Sequence, residues 1–193
     1  MWRAKEKNDV IPLSFKYRIY PTKETEEKLL QIMRIEAKVY NVLLDAVDKA
    51  KKERRNITPK DTQGMLKDLD VEGKDLVYSK ALQMINNQLW YNIRTLHELK
   101  KKGKKVGNLR YKKIFKVINY NQSGFKIKGN KLILSKIGEI NVLFHRPLEG
   151  DVKGVIIKKN ASGWYAIFQV KVKKKPLVKT DRKVGIDIGV ENW

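Results

Sequence analysis

The sequence predicts an α+β fold: an antiparallel β domain, barrel or sandwich, with a helical unit inserted after its first strand. Three observations lead there. Residues 22–102 place apolar side chains at three- and four-residue steps, the period of amphipathic helices. Residues 117–172 break into short apolar runs separated by glycine- and asparagine-bearing turns, the spacing of antiparallel strands. One further alternating run, Val10 to Tyr20, stands before the helices with no strand beside it in sequence, so it is expected to pair with the later sheet.

That first run sets Leu13, Phe15, Tyr17 and Ile19 on one face and Ser14, Lys16, Arg18 and Tyr20 on the other, a half-buried strand with a basic outer side. Pro21 ends it. Thr22 is a helix-capping hydroxyl, and Glu24, Glu26 and Glu27 behind it complement the positive end of a helix dipole. Leu29, Ile32, Met33, Ala37, Tyr40, Leu43, Leu44 and Val47 form the apolar stripe of a long helix reaching about Ala50, and Lys49, Lys51, Lys52, Arg54 and Arg55 suit its negative end.

Thr58-Pro59 opens a second, weaker helix with Met65, Leu66 and Leu69 expected inward, and Gly73 breaks the chain. Ser79 or Asp75 is expected to cap a third helix carrying Leu82, Ile85, Leu89, Ile93, Leu96 and Leu99, with Trp90 and Tyr91 beside the stripe. Asn86, Asn87, Gln88, Asn92 and Arg94 lie off that stripe, available either to solvent or to a nucleic-acid backbone. The expected strands are 117–120, 125–127, 131–134, 140–144, 154–158 and 164–172.

Charge narrows the function. There are 43 Lys and Arg against 21 Asp and Glu, a formal net charge of +22, which favours a polyanionic partner and makes nucleic acid the first candidate. No transmembrane span or signal-peptide pattern is evident, so a cytoplasmic protein without membrane partners is expected. The absence of cysteine excludes disulfides and thiolate zinc sites, and His97 and His145 are too few and too separated to suggest a metal centre.

The charge concentrates. Residues 100–116 hold nine Lys and Arg, among them Lys101, Lys104, Lys105, Arg110, Lys112 and Lys113, and no acid. Such a run neutralises phosphates with release of counterions, Gly103 and Gly107 give a backbone able to follow a phosphate chain, and Tyr111 can stack on a base or ribose. A plain solvated charge run is the alternative.

The chain closes on Val184-Gly185-Ile186-Asp187-Ile188-Gly189-Val190, a strand pattern with one carboxylate between β-branched neighbours and flanking glycines. It reads either as a solvated edge strand or turn, or as the first strand of a metal-dependent phosphoryl-transfer site with Asp187 as ligand.

In order along the chain, Tyr17-Arg18-Ile19-Tyr20-Pro21, Tyr40-Asn41, Ser79-Lys80-Ala81-Leu82-Gln83, Gly107-Asn108-Leu109-Arg110-Tyr111-Lys112-Lys113, Gly163-Trp164-Tyr165-Ala166 and Val184-Gly185-Ile186-Asp187-Ile188-Gly189 resemble the N-terminal half of the TnpB (OrfB) family, transposon-encoded RNA-guided DNA endonucleases. The resemblance covers nearly the whole chain. It implies an oligonucleotide-binding-like wedge barrel, its first strand in 1–21 and the remainder in 103–175, interrupted by a helical recognition domain at 22–102. Residues 176–193 would be a linker and the start of a RuvC-like nuclease domain.

The implied partners are guide RNA and target DNA. Arg18, Tyr20, Asn41, Gln83 and Asn87, together with Lys101, Lys104, Lys105, Arg110, Tyr111, Lys112 and Lys113, are the candidate contacts. Asp187 would be the first catalytic carboxylate and a ligand of Mg2+ in a complete parent protein; no cofactor is expected for this stretch alone, which is read as a lobe that binds without cutting. Leu109 stands where the family more often has proline, and Lys38 lies near an expected arginine.

Two other classes remain open. Actin-like ATPases also begin with a Gly-Ile-Asp-x-Gly strand, but usually follow it with a small hydroxyl residue where this chain has Val190-Glu191; ATP binding would revive that reading. A non-catalytic RNA-binding module also fits the charge and the β domain.

Overall fold

The structure is a computed structural model that describes residues 10–173. Seven strands form one antiparallel sheet: β1 (Val10–Tyr20), β2 (Val117–Asn121), β3 (Phe125–Lys128), β4 (Lys131–Leu134), β5 (Gly138–Leu143), β6 (Asp151–Asn160) and β7 (Gly163–Lys173). Their order is β2-β6-β7-β1-β5-β4-β3. The two outermost strands, β2 and β3, are consecutive in sequence and joined by a single turn of 3-10 helix at Gln122–Gly124, so the sheet is rolled into a nearly closed barrel. Of the barrel and sandwich that the strand spacing allowed, the barrel is found.

The isolated first strand joins the later sheet, as its lack of a neighbouring strand in sequence predicts, and takes the central position in it. It pairs with β7 from Val10↔Lys173 to Ile19↔Trp164 and with β5 through Arg18↔Leu143 and Tyr20↔Asn141. Tyr17 and Ile19 are buried and Phe15 is half-buried, but Leu13, expected on the inner face, is exposed, because this end of β1 extends past β5, whose pairing begins only at Arg18.

Between β1 and β2 lie three helices, α1 (Lys23–Lys52), α2 (Pro59–Met65) and α3 (Ser79–Lys101). Thr22 caps α1 as predicted, its Oγ1 accepting from the Thr25 amide at 3.2 Å. Thr58 and Asp61 form a reciprocal capping box on α2, with Pro59 in its first turn. Gly73 adopts φ +77°, a left-handed turn that the missing Cβ permits. The expected cap of α3 is not found. Tyr78 is its N-cap residue without a side-chain bond, Ser79 is already helical, and Asp75 belongs to a preceding 3-10 turn. Met65, expected inward, is 41% exposed because α2 ends there and only Leu66 and Leu69 turn toward the core.

Helices and barrel share one core. Leu29, Met33, Leu43 and Leu89 are buried together with Ile118, Leu132, Ile157 and Phe168 in the same apolar cluster. Polar ties cross the junction: Lys159 on β6 meets Glu26 in the first turn of α1 at 2.7 Å, and the Lys159 ammonium, aided by the Trp164 indole, holds the Glu26 carboxyl below its ordinary range. Tyr78, entering α3, stacks on Tyr120 and donates to the Asn121 carbonyl at 3.2 Å.

Glu36 is a buried acid in this core with an unpaired oxygen. Glu36 of α1 is 1% exposed, its Oε2 has no hydrogen-bond partner among the described residues, and burial pushes its carboxyl well above the usual value of 4.5. The Tyr120 phenol, itself buried and unpartnered, is raised by burial and by proximity to Glu36. A carboxyl whose folded pKa is raised favours the folded state fully below about pH 4.5, and that contribution is lost as pH rises toward the folded value. Glu36→Gln is therefore expected to remove a decline in urea midpoint between pH 5 and pH 8, worth up to roughly 1.4 kcal/mol per unit of pKa difference. Parallel pH profiles for the two proteins would refute it.

Candidate nucleic-acid interface

Residues after Lys101 leave the end of α3 and run back along α1, and a short ladder of polar contacts fixes them there. Asn41, on the side of α1, donates its Nδ2 to the Lys112 carbonyl at 2.9 Å and accepts the Lys112 amide on Oδ1 at 2.8 Å. Both ends of the Asn41 amide are thus occupied by backbone, so Asn41 positions the basic segment and is not a free polar contact. One helical turn further on, the Tyr111 hydroxyl donates to Asp45, whose carboxylate pushes the phenol above its ordinary value. The Phe115 amide reaches the Met33 carbonyl at 3.1 Å, and the Phe115 ring meets Tyr40 edge-on.

This anchoring divides the cations. Lys112 is half-buried, its Nζ 5.4 Å from the Tyr40 ring centre and 5.5 Å from that of Phe115, where it joins the segment to the helix. Lys104, Lys105, Arg110 and Lys113 are exposed. Lys101, still on α3, is exposed and 3.5 Å from Glu98. Tyr111 keeps 64% of its surface exposed with its hydroxyl tethered, a fixed ring open to stacking. The segment is free of acids in sequence but not in space: Asp45 and Asp48 on α1 border the same hollow as Lys49, Lys51, Lys52, Asn108 and Tyr111. The sequence reading missed both aspartates, because the return of the chain along α1 is a tertiary fact.

Arg18 and Tyr20 belong to a different surface, the outer face of the barrel. Arg18 Nη1 donates to the Tyr165 hydroxyl at 3.3 Å, and its guanidinium lies 5.6 Å from the Tyr165 ring centre and 5.9 Å from that of Tyr20. Lys16 stands 4.0 Å from the same Tyr165 ring. The Ser162 hydroxyl, then Arg18 and Lys16, hold the Tyr165 phenol below its ordinary value. Gly163, at φ +124°, makes room for this cluster: a Cβ there would lie 2.7 Å from Arg18 Nη2. Sequence reading pointed Lys16 outward but did not find Tyr165, since cross-strand register sets Arg18 opposite it. Tyr20 is 52% exposed.

Gln83 and Asn87 stand one helical turn apart on α3, Gln83 half-buried and Asn87 exposed. Asn86, a candidate backbone contact, is 0% exposed. Its Oδ1 accepts from Thr62 Oγ1 at 2.7 Å and its Nδ2 donates to the Pro59 carbonyl at 3.0 Å, while Trp90 Nε1 donates to the same Thr62 hydroxyl at 2.8 Å. Asn86 therefore fastens α2 to α3 and touches no ligand. Asp187 lies outside the described residues. Among the described residues no group of three or more His, Cys, Asp or Glu is placed to hold a metal ion. No helix among them is long and apolar enough to cross a membrane.

The sequence model of the family HTH_OrfB_IS605, described as a helix-turn-helix domain, matches residues 11–56. That span supports an N-terminal region of the IS605 OrfB/TnpB type. In the structure the matched residues hold most of β1, the Pro21-Thr22 junction, all of α1 and the four residues after it; the next helix begins at Pro59. Comparison with curated proteins gives no match.

Proposed function

We propose that the chain is the nucleic-acid-binding lobe of a transposon-encoded, RNA-guided DNA endonuclease of the OrfB/TnpB kind, contacting guide RNA and target DNA. The observation that carries this reading is the basic segment, held along α1 by Asn41 and Asp45 so that Lys104, Lys105, Arg110 and Lys113 face outward beside an open tyrosine ring. The family match over β1 and α1 supports a DNA-binding role in a transposon-associated protein. In this reading the barrel is the wedge domain and α1–α3 the recognition domain. Phosphates supply most of the affinity, and Tyr111 and the Arg18–Tyr20–Tyr165 cluster offer stacking surfaces.

The nuclease part of the proposal rests on Asp187 alone. In a complete active site its carboxylate would join others to hold Mg2+, which polarises phosphate and activates water. Both parts are testable on the purified chain. If about six phosphates are engaged, log affinity for duplex is expected to fall against log salt with a slope of roughly −5, and a slope near zero would remove the binding reading. Asp187→Ala is expected to leave that affinity unchanged within about twofold, since a single carboxylate neutralises no phosphate. Magnesium-dependent cleavage that survives Asp187→Ala would refute the role given to Asp187.

A further inference from the structure

Where the basic segment leaves α3, it roofs a groove between α1 and α3 of about 450 Å³, within the range of small-molecule clefts. Its walls are apolar: Leu44 and Val47 from α1, Ile93 and Leu96 from α3, Val106 and Leu109 from the returning chain. Its rim is cationic, with Lys51, Lys100, Lys104 and Lys105 against the single carboxylate Asp48. Asn108, Lys51 and Asp48 also border the neighbouring hollow, at whose far side Tyr111 stands. A wholly apolar partner would leave four ammonium groups unanswered, and a paired duplex presents no flat apolar group to enter the slot.

We infer that this groove holds the base of one unpaired nucleotide, with its flanking phosphates on the lysine rim and an adjoining base on Tyr111. The inference deepens the proposed nucleic-acid binding and rests on it. A base offers a flat, weakly polar ring of the kind Leu44, Ile93 and Leu96 can cover, and its own backbone carries the anions that Lys104 and Lys105 attract. Asn108, at the passage between the two hollows, brings an amide able to both donate and accept at a base edge. The chemistry is that of an unpaired nucleotide whether it comes from RNA or from DNA.

The test is anisotropy titration of the purified chain, at fixed salt, with hairpins that are fully paired or carry one bulged 2-aminopurine, made in RNA and in DNA. The bulged form is expected to bind about fivefold or more tightly than the paired form, with 2-aminopurine emission quenched on binding. Leu96→Trp, filling the groove from α3, is expected to abolish that preference and leave affinity for the paired hairpin unchanged. Equal binding of bulged and paired hairpins, or a preference that survives Leu96→Trp, would overturn the slot while leaving the phosphate-binding reading intact. Loss of salt-dependent binding to every hairpin would overturn both. Should Leu96→Trp fail to fold, adenosine 5′-monophosphate must displace the bulged hairpin from the unaltered chain and not the paired one; failure to displace it counts against the slot. The RNA and DNA arms show which polymer supplies the nucleotide.

Discussion

Replacing Lys104, Lys105, Arg110 and Lys113 together with alanine is expected to lower duplex affinity by about two to three orders of magnitude near 0.1 M salt. It should also flatten the salt slope by roughly 3.6, about 0.9 for each phosphate no longer neutralised. All four side chains are exposed, and none is among the described hydrogen-bonding or ion-pairing partners that hold the segment, which are Asn41, Asp45 and the Lys112 backbone. The fold should therefore survive. The comparison is removal of four exposed lysines from the barrel, Lys126, Lys128, Lys136 and Lys173, which lowers net charge by the same amount. Titrations at several salt concentrations decide between a site and a field. Equal flattening by both sets would mean that affinity follows net charge alone and that the basic segment is no interface.

The second large effect is on stability. Asn86→Ala is expected to destabilise the chain by about 3 kcal/mol, a drop of roughly 6–12 °C in melting temperature for a protein of this size. Asn86 accepts from the Thr62 hydroxyl and donates to the Pro59 carbonyl, so its loss removes both of its bonds to the start of α2 and leaves a gap at a fully buried position, with only the Trp90–Thr62 bond of this network still crossing between the helices. Asn87→Ala, one residue on and exposed, should change stability by less than about 0.5 kcal/mol. Thermal denaturation followed by circular dichroism separates the two, and similar melting temperatures for both variants would show that the buried Asn86 bonds contribute no more than an exposed amide does.

Asn86 and Asn87 also show where sequence reading stops. The helical period marks both as lying off the apolar stripe, but whether a polar residue faces water or a neighbouring helix depends on where α2 docks, and nothing in α3 encodes that. Asn41 is a similar case: its place on α1 was legible, whereas its commitment to the Lys112 backbone required the return path of residues 104–115. The strands were legible because alternation is local, and β1 was assigned to the barrel because it had no other partner. The choice of barrel over sandwich was not settled by strand spacing, since it depends on β1 pairing with β5 on one side and β7 on the other and so joining distant segments into one sheet. In the interface, the cations were visible as a run, but Asp45, Asp48 and Tyr165 enter only through tertiary contact and cross-strand register.

The pairing of β1 with β5 and β7 has a consequence for the order in which the molecule is made. Arg18 leaves the ribosome long before Leu143 and Tyr165, its neighbours on either side, with a delay on the order of ten seconds at ordinary rates of translation. During that interval the three helices, all of which precede β2 in the chain, are free to begin assembling, while the first strand waits without a sheet. An unpaired strand with Phe15, Tyr17 and Ile19 on one side invites association with other nascent chains; Lys16 and Arg18 between them act as gatekeepers during that wait, before they serve any partner. A ribosome stalled with residues up to about 130 emerged should thus display a protease-resistant helical unit and a cleavable leading strand, and only completion of β7 should protect both.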